Sequence, residues 1–198
     1  MYGFVVGNGE SRRGFDLNIL KKHGIVYGCN SLFKDFKPHT LISVDNKTID
    51  MIKKSGYEGE FVYFDRGTRR LVMRGKEIFN FEYRGWASGQ TALWLICDRM
   101  RQHIPAIFMI GFDFYSKDDK INNIYKGTPC YRDTGSKPVD PKKWIYQCMH
   151  VFAEFRKNKF YRVQKSVNDF PVRDFEIAKN YETITYETMM KILGGCDE

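Results

Sequence analysis

The chain has 198 residues, 42% of them hydrophobic and 16% aromatic, which suffices for one domain with its own core and excludes a disordered chain. The net charge of +8 is spread along the sequence, with only modest basic clusters at 137–143 and 156–165. Nucleic acid is thus a possible partner but not the favoured one, since a basic pocket for a nucleotide, or solubility alone, accounts for the charge equally well.

The apolar run Tyr2–Val6 enters Gly7-Asn8-Gly9 and reads as a buried parallel strand ending in a tight turn. Residues 15–22 have apolar positions at helical spacing, so strand, glycine loop and helix are expected, with a phosphate site at the helix start. A plain strand-to-helix turn without ligand explains "GNG" equally well. It is neither the dinucleotide fingerprint, since Arg12 stands at the sixth position, nor a P-loop, since no G-K-[ST] follows. Strands are expected at 25–29, 40–44 and 60–64, and a helix at 48–54 capped by Asp45 or Asn46. The charged stretch 66–84 admits short strands at Arg70–Met73 and 78–81. A buried helix follows Ser88-Gly89, because Thr91, Leu93, Trp94, Ile96, Cys97 and Met100 leave almost no polar face. Ala106–Ile110 is the clearest central strand and runs into Gly111, Asp113 and Tyr115.

A polar loop at 116–141 is long enough to be a lid. Asp140-Pro141 has the form of a helix cap with proline in the first turn, and the helix carries Trp144 to Phe155. A strand at 160–163 and a short helix at 186–193 complete the pattern. The five cysteines, Cys29, Cys97, Cys130, Cys148 and Cys196, contain no C-x-x-C pair, so neither a disulfide framework nor a zinc site is expected. A reducing, cytoplasmic setting follows. No apolar run approaches the ~20 residues of a membrane span, and the opening strand has no basic segment before it, so no signal peptide is expected.

Alternating strands and helices predict an α/β fold: a single Rossmann-like domain, with a mainly parallel sheet flanked by helices and a lid-like loop region. Ligands of such sheets lie at the carboxyl ends of the strands. Gly7, Asn8, Gly9, Asn30, Ser88, Gly89, Gly111 and Asp113 all fall there and outline a nucleotide crevice.

"VVGNGESR", "YGCN", "WASGQTALWLICDRM" and "IFMIGFDFYSKDDKINNIY", in that order, resemble the bacterial sialyltransferases of glycosyltransferase family 42, and more widely the MptE-like proteins. The resemblance spans residues 5–125. It implies a Rossmann-like fold and a CMP-sugar donor as substrate, with no metal and no further cofactor. Asn8 and Gly9 would lie near the phosphate and ribose, and Asn30 near the cytidine phosphate or sugar. Ser88 and Gly89 would meet the donor phosphate or carboxylate. Tyr115 and Tyr125 would donate hydrogen bonds to the departing phosphate, although either is also ordinary as a core or rim aromatic. Two departures stand out. Glu10 replaces the usual proline, with Arg12 or Arg13 able to offset its charge. No histidine falls where the family has its base: His23, His39, His103 and His150 lie elsewhere. Asp140 stands at about that point, either as base or as helix cap. Asp113 could bind a metal, but no second carboxylate has partner spacing.

The expected function is therefore a glycosyltransferase with a nucleotide-sugar donor and a glycan or other hydroxyl-bearing acceptor. An MptE-like diphosphokinase and a non-catalytic nucleotide-binding module are the alternatives.

Overall fold

The computed structural model describes residues 1–73, 78–100 and 103–194, with 78–82 described by their backbone alone. Cys196, named above, lies outside the described residues. The strands are β1 (Tyr2–Val6), β2 (Gly24–Cys29), β3 (Thr40–Ser43), β4 (Glu60–Asp65), β5 (Arg70–Met73), β6 (Ile78–Glu82), β7 (Ala106–Ile110), β8 (Lys159–Gln164) and β9 (Tyr181–Thr185). The helices are α1 (Asn46–Lys54), α2 (Ser88–Arg99), α3 (Lys142–Glu154) and α4 (Tyr186–Gly194). The strands form one sheet in the order β6-β5-β4-β3-β2-β1-β7-β8-β9. From β4 to β9 all pairings are parallel; β5 and β6 add an antiparallel hairpin at one edge. This is the Rossmann-like α/β architecture that the alternating pattern predicts.

Side chains along a strand point alternately to the two faces, and both faces here are apolar. Val5, Ile42, Val62, Ile107 and Met109 pack beneath α2 and α3. Phe4, Val6, Leu41, Phe61, Phe108 and Ile110 pack on the other face against α1, α4 and the turns near Leu17, Leu20 and Leu32. Burial explains α2 directly: every residue from Gln90 to Cys97 is buried.

Two local expectations differ. Residues 15–22 do not form an α-helix; the crossover from β1 to β2 consists of short 3-10 turns, Glu10–Arg12 and Leu17–Lys22, the second capped by Asp16. Gly14, at φ +86°, separates them, so the chain cannot keep right-handed helical geometry from one to the other. In the C-terminal stretch, where the sequence gives mixed signals, β9 pairs with β8. The α1 cap is Asp45, whose carboxylate accepts from Thr48 N at 3.1 Å.

The strand order reverses between β1 and β7, the position where open α/β sheets hold ligands. Here the loops leaving the two strands are zipped together. Gly7 N donates to Ile110 O (2.7 Å) and Gly9 N to Gly111 O (2.9 Å). Asp113 accepts from Ser11 N at 2.9 Å and from the Ser11 hydroxyl. Arg162 of β8, fully buried, donates to the carbonyls of Phe112 (2.7 Å), Asp113 (3.1 Å) and Phe170 (3.0 Å). A Cβ on Gly9 would stand 2.5 Å from the Asp113 carboxylate and 2.7 Å from Gly111 O. The glycines of "GNG" are therefore demanded by the neighbouring loop, whatever the ligand.

Gly9→Ala should lower unfolding free energy by about 1–3 kcal/mol, the usual cost of overpacking. Gly135→Ala, with nothing within 4 Å of its added methyl, should stay within about 0.5 kcal/mol of wild type. Urea denaturation of both measures the contrast; equal stabilities would remove the close-approach argument.

Candidate functional site

A cavity of about 320 Å³ opens at the carboxyl ends of β1 and β7. Nine of the residues expected at the site line it: Gly7, Asn8, Gly9, Asn30, Ser88, Gly89, Gly111, Asp113 and Tyr115. Their roles differ from one another.

Of its backbone amides, the glycine loop leaves only that of Asn8 without a partner among the described residues, so it offers little to a phosphate. The amides of Gly7, Gly9 and Ser11 are committed as described, Glu10 N donates to Asn122 Oδ1 (2.8 Å), and those of Arg12 and Arg13 close the local turn. Asp113 is a brace, buried and held by the backbone N–H and the hydroxyl of Ser11. Glu10 is neutralised by Arg13 (2.7 Å) and Lys126 (3.2 Å), and the Arg13 hydrogen bond holds its carboxyl below the usual range despite partial burial. Arg12 points elsewhere, as shown below.

Asn8 is the conspicuous member. It is 8% exposed, its amide nitrogen donates to the Tyr131 hydroxyl (3.0 Å) and to Cys29 O (3.4 Å), and its Oδ1 is buried with no partner. An unsatisfied buried carbonyl oxygen costs about 1–3 kcal/mol, so this atom is served best when something in the cavity donates to it. Asn30 sits in the left-handed region (φ +53°), which asparagine tolerates, and its Oδ1 accepts from Ser43 Oγ at 3.0 Å. Its amide nitrogen has no protein partner among the described residues and borders the same space. Ser88 opens α2; its hydroxyl accepts from Val44 N (3.0 Å) and so fixes the helix start against the end of β3. The preceding Ala87 has no side chain able to cap, which leaves the first-turn amides of α2 open to a ligand. Beyond Gly111 the chain kinks at Phe114 (φ +64°), and Tyr115, 37% exposed, lies at the rim.

The loop between β7 and α3 folds over this space as a lid. Ile124 N donates to Asn8 O (2.8 Å), and the Asn122 and Tyr131 contacts add two further attachments to the glycine loop. The two remaining expected residues are not in the cavity wall. Tyr125 is buried: its hydroxyl accepts from Arg12 Nη2 (2.8 Å) and donates to Asp35, while Arg12 also pairs with Asp35 (3.3 Å) and donates to Gly7 O (3.0 Å). Burial holds the Tyr125 phenol well above its ordinary value, so it stays a neutral bridge. Asp140 is exposed and lies one residue before Pro141, the N-cap of α3, which has no side-chain cap; its carboxylate accepts from Lys142 N (3.0 Å), a local turn contact two residues on.

The lid instead supplies Tyr131 and Arg132, which sequence reading missed, and α3 supplies Trp144. Burial pushes the Tyr131 phenol up to about 12. Its distance of six residues from Tyr125 is the available hint, since either tyrosine could face the crevice. Cys29 and Cys130 also line the cavity. Among the described residues there is no group of three or more His, Cys, Asp or Glu able to hold a metal ion, and no helix long and apolar enough to cross a membrane. Among the described residues, the cavity wall contains no histidine and Asp113 is its one carboxylate.

No protein-family model matches the chain, and neither does any curated protein or solved structure.

Burial pushes the Cys29 and Cys148 thiols up to about 12, while Cys130 is only half-buried in the lid. Since the thiolate is the reactive form, iodoacetamide at pH 8 should modify Cys130 well before Cys29 or Cys148. Peptide mass spectrometry reads the order, and early labelling of Cys29 would mean that the lid does not cover the crevice.

Proposed function

We propose that this chain binds a nucleotide-activated sugar in the crevice and transfers the sugar to a hydroxyl-bearing acceptor, with a CMP-sugar as donor. The observation that carries the reading is Asn8: a residue of the cavity wall at the strand-order reversal whose buried Oδ1 has no partner, which calls for a donor such as a ribose hydroxyl. The four motifs that resemble the family 42 sialyltransferases converge on that cavity, and the uncapped start of α2 supplies a positive end for the donor's anionic groups. Tyr115 at the rim is the phenol available to the departing phosphate. A second hollow of about 280 Å³ shares Asp113, Ile121 and Asn122 with the first and offers the acceptor a place beside the donor.

In this mechanism the acceptor oxygen attacks the anomeric carbon and the bond from sugar to phosphate breaks. The nucleotide leaves with its charge stabilised by Tyr115 and the α2 amides. The acceptor's proton passes to the phosphate of the released nucleotide, for the Asp113 carboxylate is committed to Ser11. That same observation favours one second reading, a binding module that holds the nucleotide without chemistry.

Melting temperature in the presence of CMP, CTP, ATP and GTP separates these readings from unrelated functions. Selective stabilisation by the cytidine nucleotides is expected, and indifference to all four would remove both. In a transfer assay from a CMP-sugar, Tyr115→Phe should lower turnover by about 10²–10³ with little change in donor affinity. Wild-type protein that binds the donor but neither transfers nor hydrolyses it would establish the binding module instead.

A further inference from the structure

Among the residues lining the cavity, Arg132 carries the one positive charge. It is exposed, and no carboxylate lies within ion-pair distance among the described residues. The other arginines around the site are already used: Arg12 by Asp35 and Tyr125, Arg13 by Glu10, and Arg162 by three carbonyls. The backbone that carries Arg132 is held firmly. Gly127 N donates to Arg132 O (2.8 Å), Tyr131 N to Thr128 O (2.9 Å), and the Tyr131 hydroxyl receives Asn8 Nδ2. The cation is thus brought to the cavity by a turn that is itself tied to the glycine loop.

The opposite requirement comes from Asn8. Its partnerless Oδ1 repels an anion and needs a hydroxyl or amine donor. With the amides of Gly7, Gly9, Glu10 and Ser11 spent, the glycine loop is also a poor place for a phosphate. Ser88 and Gly89 at the open first turn of α2 and Arg132, whose guanidinium is unpaired, line the same cavity, and both features attract one. The ligand this wall fits has an anionic end and a hydroxyl-bearing end, in that order from lid to glycine loop.

We propose that Arg132 is the phosphate-recognising residue of the cavity: carried by the lid, its guanidinium pairs with the ligand's phosphate against the start of α2, while Asn8 Oδ1 accepts from a ribose hydroxyl. The proposal rests on the nucleotide reading above and adds the orientation of the ligand and the residue that selects for its charge. A nucleoside would fill the hydroxyl end and leave the lid cation unpaired.

The test is calorimetric titration of CMP and of cytidine into wild type, Arg132→Ala and Arg132→Lys. Arg132 is exposed, so Arg132→Ala should melt as wild type does. It should bind CMP about ten- to hundredfold more weakly, the loss expected for a charge-assisted hydrogen bond, while cytidine affinity is unchanged. Arg132→Lys should recover part of the loss, since it keeps the charge without the planar fork. A CMP-to-cytidine affinity ratio in Arg132→Ala equal to that of wild type overturns the role of Arg132 and leaves the nucleotide reading standing. Wild type that binds neither compound overturns the nucleotide reading itself, and this proposal with it.

Discussion

The buried carboxylate of Asp113 is the constraint around which the rest is arranged. It is 3% exposed, and it joins the loop leaving β7 to the loop leaving β1 through Ser11, 102 positions away in sequence. A carboxylate so placed is tolerable only when it is hydrogen-bonded, and Ser11 N and the Ser11 hydroxyl each donate to one of its oxygens. Arg162 then holds the carbonyls of Phe112 and Asp113, on either side of the Asp113 Cα, and the carbonyl of Phe170 besides. The approach of the two loops leaves no room for a Cβ on Gly7 or Gly9, and the chain beyond Gly111 is launched into the lid. Cavity, glycine loop and lid are thus consequences of one polar tie across the centre of the sheet.

The same economy governs the positive charge. Although the sequence carries +8, the arginines nearest the crevice are internal fasteners and not ligand contacts. Arg12 joins the glycine loop to Asp35 and Tyr125, and Arg13 with Lys126 neutralises Glu10. The formal charge of a chain therefore says little about the field inside its cleft. What remains there is a helix end and a single lid guanidinium, a much more selective arrangement than a basic groove.

Most of the sheet was legible because buried parallel strands are continuous apolar runs closed by turn residues; Tyr2–Val6 and Ala106–Ile110 are the plainest. β9 was not, since Tyr181–Thr185 alternates polar and half-buried residues at the sheet edge and buries only Ile184. The 3-10 crossover at Leu17–Lys22 was read as an α-helix because apolar spacing over so short a span suits either geometry. Nine of the expected residues line the cavity because they stand at strand ends or at the start of α2, positions that the alternating pattern already marks. Tyr125, Tyr131 and Arg132 could not be sorted that way. Which side of a lid faces the crevice depends on the turn from Gly127 to Arg132 and on the Arg12–Asp35 pair, and neither has a periodic signature.

The strand order has a consequence for how the molecule comes into being. As the chain emerges from its N-terminus, β1 to β4 can pair with one another at once. The second edge of β1 must wait for β7, roughly a hundred residues later, and until then an apolar strand at the heart of the sheet is a bare template. Neither Asp113 nor Arg162 exists yet to seal it. Closure across β1 and β7 is a long-range event of the kind that slows folding, so the exposed half-sheet is the natural point for a chaperone to act or for aggregation to begin.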